Sequence, residues 1–306
     1  MTWSIETQDL CKNYARVKAV KDLSLRVGQG EVYAFLGLNG AGKTTTIRML
    51  LGMIRPSAGC VSVLGTPVRP GMCQPWDRVG YLVETPRAYP ELTVLENLEA
   101  ARRLHPGTSP AAVPAIIERL SLGEYAQRRA GTLSLGNLQR LGLAKALLHA
   151  PEIILLDEPA NGLDPAGIVE IRNLLLELTE KQGCTVFMSS HILAEVSRLA
   201  GRIGIIHQGR LLQEMDMAGL ERNRRRRLLL GARDPQAALS ALAAAGQPCV
   251  LLEDGEIEIR NDFSIQHPDE IAALLVRAGT PPTRLLVEEE ALEAYFLRLI
   301  GAEGEN

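Results

Sequence analysis

The spacing of apolar residues in the first part of the chain predicts short β-strands. Residues 21–27 alternate polar and apolar side chains, and residues 32–36 are wholly apolar. Alternation with a period of two is typical of a strand with one buried face, and a Gly-rich segment between two strands is typical of a hairpin. We therefore expect a hairpin with its turn at residues 28–30. The strands expected in this part of the chain are residues 3–10, 21–27, 31–36 and 60–64.

The centre of the chain alternates apolar strands with a helix. Residues 153–156 are four consecutive apolar residues, and Gly183 ends the helical pattern of residues 166–181. Strands without polar alternation, separated by helices, are typical of a parallel sheet that is covered on both faces. A turn at Gln208 and Gly209 is expected to join the last two strands. The strands expected here are residues 153–157, 185–189, 203–207 and 211–215.

Residues 90–150 follow a helical pattern throughout. Thr93 and Glu96 have the spacing of a capping box before an apolar run, and the sequence His-Pro-Gly at 105–107 marks the end of that helix. We therefore expect an all-helical subdomain over about residues 90–150.

The end of the chain forms a separate small unit. The arginine-rich segment 222–227 marks the boundary, so the expected domains are residues 1–220 and 221–306. The order of elements predicts a βαββαβ unit with a tail helix. Two interpretations of the arginines remain open: a solvated linker, or a contact with anionic lipid headgroups or with an acidic partner surface. The elements expected are strands 227–230, 248–252, 256–260 and 284–287 and helices 235–245, 268–278 and 289–300.

Composition narrows the class of protein. A chain of 306 residues exceeds what one hydrophobic core usually organises, and a net charge of −3 gives no reason to expect nucleic acid as the main partner. The five cysteines contain no C-x-x-C pair, which argues against a zinc ribbon or a disulfide framework and favours a reducing compartment. No apolar run has the length of a membrane span, and the first thirty residues lack a signal-peptide core. Any membrane role is therefore expected to depend on a partner.

A glycine-rich loop follows the strand at residues 31–36. Its sequence, GLNGAGKTT at residues 37–45, matches G-x-x-x-x-G-K-[ST] and leads into a helical run. In that setting backbone N–H groups turn toward a polyanion, Lys43 reaches the β- and γ-phosphates, and Thr44 can ligate Mg²⁺. A tight turn without a ligand is the alternative, which the flanking strand and helix disfavour. We predict a nucleoside triphosphate site formed by Asn39, Gly40, Ala41, Gly42, Lys43, Thr44 and Thr45.

Two adjacent carboxylates, Asp157 and Glu158, follow the apolar strand at residues 153–156. Open α/β sheets bind their ligands at the carboxyl ends of strands. Asp157 would hold Mg²⁺, directly or through water, and Glu158 would polarise an attacking water. A solvated strand end is the alternative, which the four apolar residues disfavour. His191 follows the next strand and is expected to face the same crevice, although a lone histidine is more often structural.

Five motifs in this order resemble those of the ATP-binding subunit of an ABC transporter, over residues 1 to about 220. They are the phosphate loop 37–45, the signature-like LSLGNLQR at 133–140, the pair Asp157-Glu158, NGLD at 161–164, and His191. The resemblance implies an α/β fold with a P-loop ABC-type ATPase core, in which a mixed sheet is joined by an antiparallel β subdomain and a helical subdomain. It also implies a small α+β, ferredoxin-like accessory domain after residue 220. ATP and Mg²⁺ would be the cofactors, with Glu158 and His191 catalytic.

The same resemblance implies that two subunits share each nucleotide. Tyr14 would stack on adenine, with an ordinary half-buried strand-end tyrosine as the alternative. Ser134, Gly136 and Asn137 would close on the γ-phosphate held by a second copy, since they lie at a helix N-terminus. Asp164 would lie at the dimer contact. Catalysis would therefore need a dimer.

Three positions depart from the pattern of this family. Leu135 stands where the signature has a second glycine and Asn137 where it has glutamine, so we expect a looser contact with the partner's phosphate. Glu84 follows a strand at 79–83 and replaces the usual glutamine, which is similar to the subgroup that exports bacitracin-like and lantibiotic peptides. Glu84 is expected near Mg²⁺, with an exposed loop glutamate that has no role as the alternative.

The expected function is a motor subunit that hydrolyses ATP. It would act as a homodimer with an integral-membrane permease at the cytoplasmic face of the plasma membrane, and export an antimicrobial peptide, a drug or a lipid-like substrate. A soluble ATPase acting on DNA or ribosomes is the alternative. The DNA-acting class is disfavoured because no coiled coil or zinc module is expected between the phosphate loop and the signature, and the ribosome-acting class because the chain has a single cassette. A nucleotide-gated scaffold is disfavoured because Glu158 and His191 are both present. No nucleic-acid partner is expected.

Overall fold

The structure is a computed structural model that describes residues 3–72 and 75–301. Cys73 and the outermost residues of the two expected domains therefore lie outside the described residues. The chain divides into a first compact unit that ends at Ala218 and a second that begins at Gly219. The boundary expected after residue 220 falls inside a helix, Met217–Asn223.

The first unit contains two β-sheets and six α-helices among its described residues. Its strands are β1 (Trp3–Tyr14), β2 (Val17–Gly28), β3 (Val32–Leu36), β4 (Ala58–Val63), β5 (Thr66–Pro67), β6 (Val79–Leu82), β7 (Ile153–Asp157), β8 (Thr185–Ser190), β9 (Arg202–His207) and β10 (Arg210–Asp216). Its helices are α1 (Lys43–Leu50), α2 (Val94–Arg103), α3 (Ala112–Arg119), α4 (Leu135–Leu147), α5 (Pro165–Gln182) and α6 (Leu193–Val196).

The predicted parallel sheet is confirmed. Six strands lie in the order β10-β9-β3-β8-β7-β6, of which β9, β3, β8, β7 and β6 are parallel and β10 is antiparallel to β9. Every residue of β3, β7 and β8 is buried, which explains why their sequences lack polar alternation. Because these three strands are parallel neighbours, the segments that follow them meet at one edge of the sheet.

The hairpin expected at residues 28–30 is wrong. β2 pairs with β1 in a four-stranded antiparallel sheet of order β2-β1-β4-β5, whereas β3 belongs to the six-stranded sheet. The turn passes from one sheet to the other, and the Gly30 N–H donates to Thr185 Oγ1 at 2.9 Å. Both sheets bury apolar side chains in one shared core, so the apolar pattern does not show which strands pair.

The helical segment is confirmed, with its capping box. The Glu96 N–H donates to Thr93 Oγ1 at 3.1 Å, and the Thr93 N–H donates to Glu96 Oε2 at 2.7 Å. α4 begins after Ser134, whose hydroxyl accepts a hydrogen bond from the Asn137 N–H at 3.3 Å. The signature-like sequence therefore lies at the N-terminus of a helix, as predicted.

The second unit has the βαββαβ order that the sequence predicts. Its strands form one antiparallel sheet in the order β12-β13-β11-β14, and a short helix, α9, that the pattern did not predict precedes α10. Its elements are most of α7 (Met217–Asn223), and then β11 (Arg226–Ala232), α8 (Pro235–Ala244), β12 (Cys249–Leu251), β13 (Ile257–Ile259), α9 (Asp262–Gln266), α10 (Pro268–Arg277), β14 (Pro282–Glu289) and α11 (Leu292–Gly301).

The arginine-rich segment 222–227 is not a solvated linker. It spans the end of α7 and the start of β11, and three of its arginines, Arg224, Arg226 and Arg227, pair with carboxylates of the same unit. Arg224 lies 3.0 Å from Glu289, and Arg227 lies 2.5 Å from Glu288. The second open interpretation, contact with an external anionic partner, stays a prediction.

Candidate active site

The phosphate loop joins the end of β3 to the start of α1. Gly42 has φ of 110°, and a Cβ atom there would lie 2.6 Å from the Ala19 carbonyl oxygen. Gly40 has φ of 81°. Glycine is therefore required at position 42 for two reasons, a left-handed backbone and a close approach of another strand. The loop is held in a shape that brings backbone close to any bound anion.

Lys43 lies beneath this loop and is almost fully buried. Its Nζ donates to the Gly37 carbonyl oxygen at 2.7 Å and lies 3.1 Å from Glu158 Oε1. A buried ammonium group needs such partners, because burial without them is unfavourable. The ammonium is thereby fixed at the phosphate loop beside an acidic side chain.

A cavity of about 660 Å³ opens beside the loop. Asn39, Gly40, Gly42, Lys43, Thr44 and Thr45 line it together with Glu158 and His191. Lys18 and Lys21 of β2 also line it and add positive charge. The structure thus brings most of the predicted nucleotide and catalytic residues to one cationic cavity.

Two predicted nucleotide residues lie outside the cavity lining. Ala41 is buried, and its carbonyl oxygen accepts a hydrogen bond from the Gly209 N–H at 2.9 Å. Tyr14 is 42% exposed at the end of β1 and pairs in register with Val17, which does line the cavity. The Lys12 Nζ lies 5.0 Å from the centre of the Tyr14 ring. Ala41 therefore supports the loop, and Tyr14 stands next to the cavity wall.

The carboxylate of Asp157 is buried and is held by two hydroxyl groups. Thr44 Oγ1 donates to Asp157 Oδ2 at 2.6 Å, and Ser189 Oγ donates to Asp157 Oδ1 at 2.5 Å. Mg²⁺ in nucleotide sites takes one or two protein oxygens and several phosphate or water oxygens. Within the described part of the chain no three His, Cys, Asp or Glu side chains cluster as a metal site. The hydroxyl of Thr44 and the carboxylate of Asp157 fit such a partial set of ligands.

Glu158 has an unusual backbone conformation and two charged or titratable neighbours. Its φ is 52°, and its N–H donates to Ser189 Oγ at 3.0 Å. Its Oε2 lies 2.5 Å from His191 Nδ1, while Lys43 contacts the other oxygen. A carboxylate held between an imidazole and an ammonium at a phosphate loop is placed to accept a proton from water.

Glu84 is not brought to Thr44 and Asp157 in this structure. Its carboxylate lies 2.5 Å from Arg48 Nη2 on α1, and its side chain is 48% exposed. It lines a second cavity, of about 760 Å³, near Tyr81 and α2. A metal role for Glu84 stays a prediction.

The signature-like residues and the NGLD segment pack against each other. A Cβ atom on Gly136 would lie 3.4 Å from the Gly162 carbonyl oxygen, and the exposed side chain of Leu135 lies over Gly162. Asp164 caps α5, since the Gly167 N–H donates to its Oδ1 at 2.9 Å. The start of α4 and the NGLD segment are therefore in contact.

Three residues at these sites were missed by sequence reasoning. Ser189 holds Asp157 and Glu158, Gln139 binds the chain after Glu158, and Arg48 pairs with Glu84. Of these three residues, only Gln139 could have been identified from the sequence, because it lies inside the signature-like motif.

Comparisons with known proteins agree with this geometry. The family described as ABC transporter matches residues 20–161. The bacitracin transport ATP-binding protein BcrA of Enterococcus faecalis is 38% identical, over 99% of this chain and 98% of its own length. The lantibiotic transport ATP-binding protein SrtF of Streptococcus pyogenes is 34% identical, over 71% of this chain and 93% of its own length. A solved dimeric structure of a bacterial ABC transporter cassette is 26% identical with a TM-score of 0.64, and covers 70% of this chain and 98% of that one.

Proposed function

The chain belongs to the ABC transporter family as one of its ATP-binding, ATP-hydrolysing subunits, and on this premise we propose that it powers the export of an antimicrobial peptide. A drug or a lipid-like molecule fits the same class of exporter. The bacitracin transport relative supports the peptide, because the likeness covers nearly the full length of both chains, including the second unit. The full-length relatives do not favour a soluble ATPase acting on DNA or ribosomes.

The proposed assembly contains two copies of this chain and a separate integral-membrane permease. No helix within residues 3–72 and 75–301 is long and apolar enough to cross a membrane. Attachment to the cytoplasmic face of the plasma membrane would therefore come through the permease. Ser134, Gly136 and Asn137, with Asp164 at the dimer contact, would face the nucleotide of the second copy, and the dimeric cassette of the related structure supports this arrangement.

The residues around the cavity suggest separate roles in hydrolysis. The loop N–H groups and Lys43 would bind the β- and γ-phosphates, and Thr44 and Asp157 would hold Mg²⁺, which supplies charge neutralisation for the phosphates. Glu158 would accept the proton of the attacking water, and His191 would orient the Glu158 carboxylate through their 2.5 Å contact. The observation that carries this proposal is the meeting of Lys43, Glu158 and His191 at the phosphate loop.

Two substitutions separate binding from hydrolysis. We expect Lys43→Ala to abolish ATP binding, because the β- and γ-phosphate charge loses its cation. We expect Glu158→Gln to bind ATP but to hydrolyse it about 10²–10⁴-fold more slowly, the usual contribution of a general base. The measurements are equilibrium binding of a fluorescent ATP analogue and phosphate release by the purified protein.

A matched control lies just before the same strand. Glu152 precedes β7, pairs with Arg78 at 2.6 Å, and is half exposed. Glu152→Gln removes the same charge and should hydrolyse ATP at the wild-type rate. Equal hydrolysis by wild type and Glu158→Gln would remove Glu158 from the proposed role.

A further inference from the structure

The buried side chain of Gln139 connects α4 to the segment that carries Glu158. Gln139 is 2% exposed, and its Nε2 donates to the Pro159 carbonyl oxygen at 2.9 Å. The same nitrogen lies 3.5 Å from the Glu158 carbonyl oxygen. A buried amide with these partners fixes the position of the chain directly after the proposed base.

Glu158 depends on such support because its backbone is unfavourable for a non-glycine residue. A φ of 52° is left-handed, and residues in that region persist only where the surrounding structure holds them. Ser189 holds the N–H of Glu158, and Gln139 holds the carbonyl side. The backbone of residues 158 and 159 is therefore held from two sides, by Ser189 and by the side chain of Gln139 on α4.

The first turn of α4 contacts the same segment at a second place. A Cβ atom on Gly162 would lie 2.5 Å from Leu135 Cδ2, so the Leu135 side chain covers that glycine. Gly136 approaches the Gly162 carbonyl oxygen closely. The start of α4 and residues 158–162 are thus packed together.

We propose that Gln139 is a positioning residue that ties the signature-like turn to the proposed base, so that the geometry of Glu158 follows the position of α4. This inference rests on the proposed role of Glu158. It gives the signature-like turn an effect within its own subunit, in addition to its predicted contact with the second copy. Gln139 is not among the residues that line the cavity, and it reaches the site through the backbone of residues 158 and 159.

The test is Gln139→Met, which keeps an unbranched side chain of similar length and removes the amide donor. We expect kcat for ATP hydrolysis to fall about tenfold, the effect of one hydrogen bond, while KM for ATP stays within about twofold. KM should stay nearly constant because the substitution leaves the phosphate loop and Lys43 unchanged.

The control is Ser4→Ala, in the same unit but on β1. Ser4 is 2% exposed, and its hydroxyl lies 2.9 Å from Thr185 Oγ1. The substitution should lower Tm and leave kcat of the folded protein unchanged. Gln247→Met in the second unit, which removes a hydrogen-bonded amide as Gln139→Met does, is a second control with the same expectation for kcat.

A double substitution distinguishes positioning from general destabilisation. In the Glu158→Gln background, Gln139→Met should cause no further loss of residual hydrolysis, because the carboxylate that it positions is gone. Wild-type kcat in Gln139→Met, an equal loss in the control, or a further tenfold loss in the double variant would overturn the role of Gln139. Wild-type hydrolysis by Glu158→Gln would instead overturn the proposed base, so the two failures are distinguishable.

Discussion

Ser189→Ala should destabilise the first unit more than an ordinary loss of a buried serine. The Ser189 side chain is fully buried, donates to Asp157 at 2.5 Å and accepts from the Glu158 N–H at 3.0 Å. A hydrogen bond to a charged group contributes about 1.5–3 kcal/mol, and a buried donor left without a partner costs about 1–3 kcal/mol. Since the two effects overlap, we expect a loss of about 2–4 kcal/mol in the free energy of unfolding.

A buried serine elsewhere in the same unit supplies the comparison. Ser4 is 2% exposed, and its hydroxyl makes one neutral hydrogen bond, with Thr185 Oγ1 at 2.9 Å. Ser4→Ala should therefore lower the free energy of unfolding by only about 1 kcal/mol. Both variants remove one oxygen atom from a buried site. The difference between their losses in the free energy of unfolding therefore measures the contribution of the hydrogen bonds that Ser189 makes with the charged Asp157 and with the Glu158 N–H.

The assay is urea denaturation followed by circular dichroism. With a denaturant slope of about 2–3 kcal/mol per molar urea, the midpoint of Ser189→Ala should lie about 0.3–1.5 M below that of Ser4→Ala. Equal midpoints for the two variants would contradict this expectation. They would show that Ser189 is not needed to hold the carboxylate and the backbone of the site.

Three further predictions concern other parts of the chain. Glu84→Ala should change the free energy of unfolding by less than about 1 kcal/mol, because its ion pair with Arg48 is exposed. The variant should keep ATP affinity within a few-fold but uncouple hydrolysis from export in the assembled transporter. Full export by Glu84→Ala would show that Glu84 is a solvated loop residue without this role. A chain that ends at Gly219 should still fold and bind ATP, and a loss of affinity above tenfold in isothermal titration would contradict the independence of the first unit. Burial, with a smaller effect of the stacked His105, lowers the pKa of His149 to about 4, so the unfolded chain binds that proton more readily than the folded one. Stability should therefore fall as pH drops from about 6.5 to about 4, and His149→Phe should flatten this dependence in thermal melts; an unchanged pH profile would contradict it.

The residues that could be found from the sequence are those whose place follows from local order. The phosphate loop, Asp157, Glu158 and His191 each follow an apolar strand directly. Parallel strands bring such positions to one edge of the sheet, whatever the connections between them. The residues of the cavity can therefore be predicted from the sequence without knowledge of how the rest of the chain packs.

The contacts that were missed join residues far apart in the chain. Ser189 lies 32 residues from Asp157, and Gln139 lies 20 residues from Pro159. Such hydrogen bonds arise from tertiary packing and leave no local pattern. The wrong hairpin has the same origin, because alternation shows that a strand has one buried face but does not show its partner. The arginines at 222–227 looked like a linker because their neutralising carboxylates come from β13 and β14, later in the sequence.

If ATP hydrolysis at Glu158 drives export through a membrane partner, both activities should stop together when this carboxylate is removed. The most direct test measures phosphate release and export together in liposomes that contain this chain with its permease, with bacitracin as the peptide probe. We predict both activities for wild type and for Glu152→Gln, and neither for Glu158→Gln, which should still bind ATP. Export that continues at the wild-type rate in Glu158→Gln would contradict the proposed role of Glu158.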